Sequence, residues 1–268
     1  MTPRYIDAHC HLQFGQYDAD RDDIIAKMKE EGVAALVVGC DLESSKGALA
    51  LAEQHEHLYA SVGLHPNYEP EVEFDREAFR VLAAHPKVVA IGECGLDYFR
   101  PSTVDDVTKR NQKELLKKHL ALAAEFKKPL IIHSRPSKGS QDAYQDLIAL
   151  LTEEKASLLP NAGDIHFFVG TKDEADALIA LGFTVSFTAV ITFARDYDAV
   201  MKSVSLENIL AETDSPYVAP VIRRGERNDP LAVKDVAAQI AEVRGEDREA
   251  VREVLLANTR RVFGLGQP

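Results

Sequence analysis

The sequence predicts an α/β chain closed into a single (β/α)8 TIM barrel, one domain spanning residues 1–268. Three observations predict it. Short apolar and β-branched runs alternate with helical patterns along the whole chain. Most of those runs are apolar on both faces, as strands of a parallel sheet buried under helices must be. The length of 268 residues suits one such barrel, which typically takes ~250 residues.

The strands follow in order. Arg4–Ala8 opens the chain, and Ala34–Val38 (AALVV) is an uninterrupted apolar run. Tyr59–Val62 (YASV) and Val88–Ile91 (VVAI) are short and largely β-branched or aromatic. Leu130–Ile132, Asp164–His166, Thr184–Ser186 and Asn208–Ala211 complete the set. Between them lie helical stripes. Leu115, Leu116, His119, Leu120, Ala123 and Phe126 recur at three- and four-residue steps, as do Leu231, Val233, Val236, Ala237, Ile240 and Val243. Ser157–Asp164 and Ala219–Pro230 read as loops. No repeat and no linker rich in Pro, Gly or Ser divides the chain.

Composition narrows the function. Hydrophobic residues make up 46%, which argues against disorder. A net charge of -12 repels polyanions and excludes a coating or packaging role on nucleic acid. It leaves room for an enzyme that meets phosphates through bound cations. Cys10, Cys40 and Cys94 form no CxxC pair, so no disulfide framework is expected and a reducing compartment fits. The start, MTPRYIDAHCHLQFG, carries no apolar stretch of signal-peptide length. Runs such as Val33–Cys40 are strand-sized and too short to span a membrane. The chain is therefore expected in the cytoplasm, with no membrane attachment and no obligate protein partner.

In such barrels the chemistry sits at the C-terminal ends of the strands. His9 and His11 close the first strand, and alternate strand residues point the same way. His65 follows the third strand, Glu93 the fourth, His133 the fifth and Asp214 the eighth, while His166 ends the sixth. Taken singly, each has an ordinary alternative: a histidine bonded in the core, or Asp214 as a helix cap. Taken together, they place many ionisable groups on one rim, where burial without compensation is costly. Two divalent cations would compensate them. Zinc and manganese suit mixed imidazole and carboxylate ligands, and magnesium suits them less well. His55, His57, His85 and His119 fall within or just after helical stretches and read as structural or solvated.

At these residues the sequence closely resembles the TatD family of metal-dependent deoxyribonucleases. YIDAHCHL, SVGLHP, AIGECGLDY, PLIIHSR, TVSFTAVITF, LAETDSPYVAP with RRGERNDP, and ANTRRVFGL carry the match over nearly the whole chain. The resemblance implies that His9, His11, Glu93 and Asp214 hold one metal, and that Glu93, His133 and His166 hold a second, with Glu93 bridging. It implies that His65 sits behind the metals or touches substrate, and that Arg224 contacts a phosphate through its planar fork of donors. Phe167 and Phe168 after His166, a long His133–His166 interval, and Ile222 and Arg223 depart from the family pattern. They bear on the groove and leave every ligand in place.

The expected reaction is hydrolysis of DNA phosphodiester bonds by a two-metal-activated water. Asp214 is the candidate general base, Glu93 the second catalytic carboxylate, and Arg135 a further phosphate contact. The resemblance implies removal of nucleotides from a 3′ end. DNA would be bound weakly and transiently, since no aromatic and basic stripe marks a long single-strand groove. A deacylase or amidohydrolase, for instance on D-aminoacyl-tRNA, would need the same ligands. A phosphatase of the polymerase-and-histidinol-phosphatase type also opens with Asp-x-His-x-His, but GECGLDY and ETDSPY speak against it.

Overall fold

Eight strands alternate with helices in the computed structural model, which describes residues 3–67, 73–100 and 104–266. The strands are β1 (Tyr5–Cys10), β2 (Val33–Val38), β3 (Leu58–Val62), β4 (Val88–Asp97), β5 (Leu130–Arg135), β6 (Gly163–His166), β7 (Phe183–Phe187) and β8 (Ile209–Ala211). They form one sheet in sequential order, and every neighbouring pair is parallel. Sequential parallel order with a helix between strands is the connectivity of a (β/α)8 barrel.

The seam between first and last strands is drawn together just past β8. Cys10 bridges Ser215 in parallel. His11 N–H donates to Ser215 O at 2.8 Å, and Asp214 N–H donates to His9 O at 2.9 Å. Below this, the buried Asp7 carboxylate accepts from Thr213 N–H at 2.8 Å and from Thr213 Oγ1 at 2.6 Å. Backbone groups that a short β8 cannot pair are thereby satisfied.

The helices are α1 (Arg21–Glu30), α2 (Leu42–Gln54), α3 (Arg76–Ala83), α4 (Asp106–Phe126), α5 (Asp142–Glu153), α6 (Lys172–Ala180), α7 (Asp198–Ser203), α8 (Val233–Arg244) and α9 (Arg248–Phe263). Asp41, Asp75, Asp105 and Asp247 cap α2, α3, α4 and α9 by accepting backbone N–H groups of the first turn. Alternation along the strands explains their two apolar faces. Val33, Ala35 and Val37 of β2 join the layer under the helices. Ala34, Leu36 and Val38 join Ile6, Ala8, Ala90, Ile131 and Leu210 in an inner cluster, packed with Val262, Phe263 and Leu265 around the end of α9.

Several boundaries differ from the sequence reading: β5 runs past Ile132 to Arg135, and β2, β3, β6 and β7 each begin one residue earlier. β1 continues to Cys10, and β4 runs on past Ile91 to Asp97. β4 shifts register between Ile91 and Cys94, and its polar Glu93 and Asp97 interrupt the apolar pattern that marks a strand. Asn208 belongs to a 3-10 turn, so β8 begins at Ile209. The shift in β4 depends on glycine: Gly92 has φ 144°, and a Cβ there would collide with the Ile131 carbonyl of β5. That kink ends on Glu93.

Candidate metal centre

Five strand ends and the segment after β8 bring seven ionisable side chains together at the barrel mouth. His9 is fully buried, and His11, Glu93, His133 and His166 are buried too. His9 Nε2 lies 3.1 Å from His11 Nε2 and 3.5 Å from Glu93 Oε2. Asp214 Oδ1 stands 3.9 Å from His9 Nε2 and 3.5 Å from His11 Nε2. The other carboxylate oxygen, Glu93 Oε1, faces a second group: His133 Nδ1 at 3.2 Å, His65 Nε2 at 3.4 Å and His166 Nε2 at 3.6 Å. Glu93 thus stands between two nitrogen clusters and turns one oxygen to each.

These spacings fit divalent cations. Ligand atoms about 2.1 Å from a tetrahedral ion would be roughly 3.4 Å apart, and the contacts above run from 3.1 to 3.9 Å. The protonation balance agrees. Burial would raise the Glu93 carboxyl, yet the His65, His133 and His166 imidazoles outweigh it and hold Glu93 well below the usual carboxylate range. Burial would also raise Asp214, and His11, His166 and His9 pull it down. Burial would lower His166, but Glu212, Glu93 and Asp214 carry it up to about 10. The centre favours ionised carboxylates and added positive charge, which is what a cation supplies.

The rings are oriented from behind. His11 Nδ1 is 2.8 Å from the Val38 carbonyl oxygen, which leaves Nε2 for the centre. His133 is turned the other way round: its Nε2 is 3.0 Å from Asp97 Oδ2, which leaves Nδ1 facing Glu93. Asp97 is itself fixed by Asn67 Nδ2 at 2.7 Å and by the N–H groups of Phe99 and Arg100. His166 Nδ1 lies 2.9 Å from Glu212 Oε1. Ser186 Oγ lies 2.8 Å from Glu212 Oε2 and 2.6 Å from Asp164 Oδ2, with one hydroxyl proton between the two carboxylates. Carboxylates behind ligating imidazoles are the usual means of fixing ring orientation at a metal site. Asp214 and Phe167, at φ 51° and 46°, hold left-handed backbone beside the centre.

A cavity of about 1010 Å3 opens over this cluster, lined in part by Phe14, Phe99, Phe167, Tyr197 and Tyr217, and by Arg100, Arg135 and Lys138. Arg135 stands in it with its guanidinium 4.2 Å over the Phe99 ring. Arg224 is placed differently from expectation. Its guanidinium lies 4.4 Å over Phe193, and it is not among the described residues that line the cavity. Its neighbours are engaged within their own region: Arg223 pairs with Asp229 at 2.6 Å and Arg227 with Asp20 at 2.5 Å.

The model of the TatD related DNase family matches residues 6–264. The chain belongs to the TatD family. It is 36% identical over 261 residues to the "Uncharacterized metal-dependent hydrolase YabD" of Bacillus subtilis, covering 96% of this chain and 98% of that protein. It is 32% identical over 269 residues to the "3'-5' ssDNA/RNA exonuclease TatD" of Pectobacterium parmentieri, covering 97% and 99%. Among solved structures, the TatD homologue YjjV of Escherichia coli matches with TM-score 0.87 and 31% identity, covering 99% of this chain and all of that one. A Campylobacter jejuni dihydroorotase, at 15% identity and TM-score 0.61, shares the fold. The chain is thus a TatD-type metal-dependent hydrolase whose His, Glu and Asp clusters could hold metal.

The residues that sequence reasoning missed fall into two groups. Asp97 and Glu212 sit inside GECGLDY and LAETDSPY, four residues after Glu93 and two before Asp214, so strand parity could have flagged them. Cys40, whose Sγ is 3.5 Å from Glu93 Oε2, and the aromatic and basic lining carry no local signal.

Proposed function

We propose that this single-domain barrel removes nucleotides from the 3′ ends of single-stranded or frayed DNA in the cytoplasm, using two divalent ions. In this reading His9, His11, Glu93 and Asp214 hold one ion, Glu93, His133 and His166 hold the other, and His65 faces substrate. The observation that carries it is Glu93, with Oε2 toward His9 and Oε1 toward His133. The exonuclease part draws on the relative named above and on the basic cavity rim. All three cysteines are free, and no helix among the described residues is long and apolar enough to cross a membrane.

When bound, the ions supply Lewis acidity and a water acidified toward neutral pH. The chain's own groups do the rest. Arg135, helped by Arg100 and Lys138, holds the substrate phosphates over the centre. Asp214, kept ionised by His11, His166 and His9 against its burial, takes a proton from the attacking water. Water oxygen bonds to phosphorus, the bond to the 3′ oxygen of the preceding nucleotide breaks, and that oxygen is protonated from solvent. The products are a 5′-mononucleotide and a strand one residue shorter. Asp97 and Glu212 keep His133 and His166 aimed throughout.

The test is digestion of end-labelled single strands, blunt duplex and closed circles, with metal added and then chelated. Loss of 3′ label from single strands, abolished by chelator, is the expected result. Rapid cleavage of closed circles overturns the exonuclease assignment. Efficient hydrolysis of an aminoacyl ester with no cleavage of DNA replaces it with a deacylase.

A further inference from the structure

β4 and β8 lie four strands apart in an eight-strand ring, so their ends stand on opposite sides of the barrel mouth. Each is followed within a few residues by a half-exposed aromatic ring. Phe99 after β4 and Tyr217 after β8 are each 48% exposed, and both line the cavity over the metal centre. Among the described residues, they are the only aromatic members of the exposed large apolar set. Exposed rings that converge on one site call for a ligand face.

Neither ring is locked in the core. Phe99 has the Arg135 guanidinium 4.2 Å from its centroid, which anchors it and sets a cation at the stack. Tyr217 stands edge-on to His11 with ring centroids 6.4 Å apart, at the inner edge of the centre. Its backbone N–H donates to the Asp214 backbone carbonyl at 3.0 Å, which closes the turn that carries both residues. A phosphate over Glu93 and Asp214 would therefore have one ring on each side.

We propose that Phe99 and Tyr217 are stacking platforms for the two unpaired bases that flank the scissile phosphate. The inference rests on the phosphodiesterase reading above and adds how the strand is recognised. Every base presents a π-face, so stacking tolerates any sequence while requiring that the bases be unpaired. A duplex end keeps its bases stacked on their own neighbours. Only a single-stranded or frayed end can splay two bases toward opposite rims. The net charge of -12 also makes phosphate attraction a weak source of affinity, so base stacking carries more of it.

Single strands carrying 2-aminopurine at the last or the next-to-last position test this, because its fluorescence is quenched by stacking. Made with a cleavage-resistant terminal linkage, they are titrated with metal-loaded protein, and cleavage of ordinary intact and doubly abasic-ended strands is then measured. Binding to the parent is expected to quench both positions. Phe99→Ala and Tyr217→Ala should each relieve quenching at one position. Each should raise KM for the intact strand about 5-fold or more, from the range that alanine substitution of base-stacking aromatics spans. On the doubly abasic strand, which has no terminal bases to stack, each variant should cost markedly less than on the intact strand. Phe99→Trp and Tyr217→Phe should keep the parental KM. Equal losses on intact and abasic strands, or no loss on either, overturn the proposal. If the parent cleaves no DNA yet quenches both probes in a ring-dependent way, the phosphodiesterase reading falls and the platforms stand. No quenching by the parent overturns the platforms whatever is cleaved.

Discussion

Lowering the pH should weaken the fold through His119, a residue remote from the chemistry. Its ring is fully buried in α4. Nε2 accepts from Leu64 N–H at 2.9 Å, and Nδ1 lies 2.9 Å from the Leu115 carbonyl oxygen. Both contacts suit the neutral ring with its proton on Nδ1. Burial, against the partial help of the Leu115 carbonyl, pushes its pKa down from 6.5 to about 4. The unfolded chain therefore binds more protons than the native one between those values. The contribution of His119 is fully present above pH 6.5 and is lost as pH falls toward 4. A drop of about 2.5 units corresponds to about 3 kcal/mol at 1.36 kcal/mol per unit. Urea unfolding of chelated protein at pH 7, 6, 5 and 4 measures it, with His119→Gln as the control. Gln can still accept from Leu64 and does not titrate. The parent should lose about 3 kcal/mol more than the variant over that interval. Parallel pH profiles would refute the reasoning. Because Leu64 precedes His65, the variant should also loosen the loop that holds His65, read as faster amide exchange there.

Replacing both His9 and His11 by Ala should leave a folded barrel, by circular dichroism, with sharply reduced metal content; an unfolded double mutant would mean these residues hold up the fold. Glu93→Gln keeps the side-chain shape and removes a charge, and should cost at least about 100-fold in turnover, in line with loss of a catalytic electrostatic element. Asp97→Ala should weaken metal binding roughly 10- to 100-fold by calorimetry, since it frees the His133 ring. Gly92→Ala should lower expression and thermal stability outright, because its Cβ has nowhere to go beside the Ile131 carbonyl.

What the sequence reveals of this site follows from where the residues sit. His9, His11, His133 and His166 lie on or at the ends of strands, so the period of the strand and the barrel rule together point them at one rim. Asp214 and Glu93 follow the same logic. The cavity lining does not, because Phe14, Phe99, Tyr197 and Tyr217 come from four different loops, each carrying one ring with no pattern around it. No aromatic and basic stripe of a long single-strand groove stands in any one stretch of sequence, and the rings and basic side chains of the cavity meet only where the loops converge. The arginines of RRGERNDP show the opposite limit. Their clustering in sequence suggests a phosphate clamp, but Asp229 and Asp20 lie within reach and engage two of them. Charge pairing across a fold is invisible in a linear charge count.

The central claim is that Glu93 bridges two divalent ions, and anomalous diffraction from metal-loaded crystals tests it most directly. Two peaks are expected on either side of the Glu93 carboxylate, one within bonding distance of His9, His11 and Asp214, the other of His133 and His166. A single peak with Glu93 on one ion, or peaks that leave Glu93 uncoordinated, would contradict it.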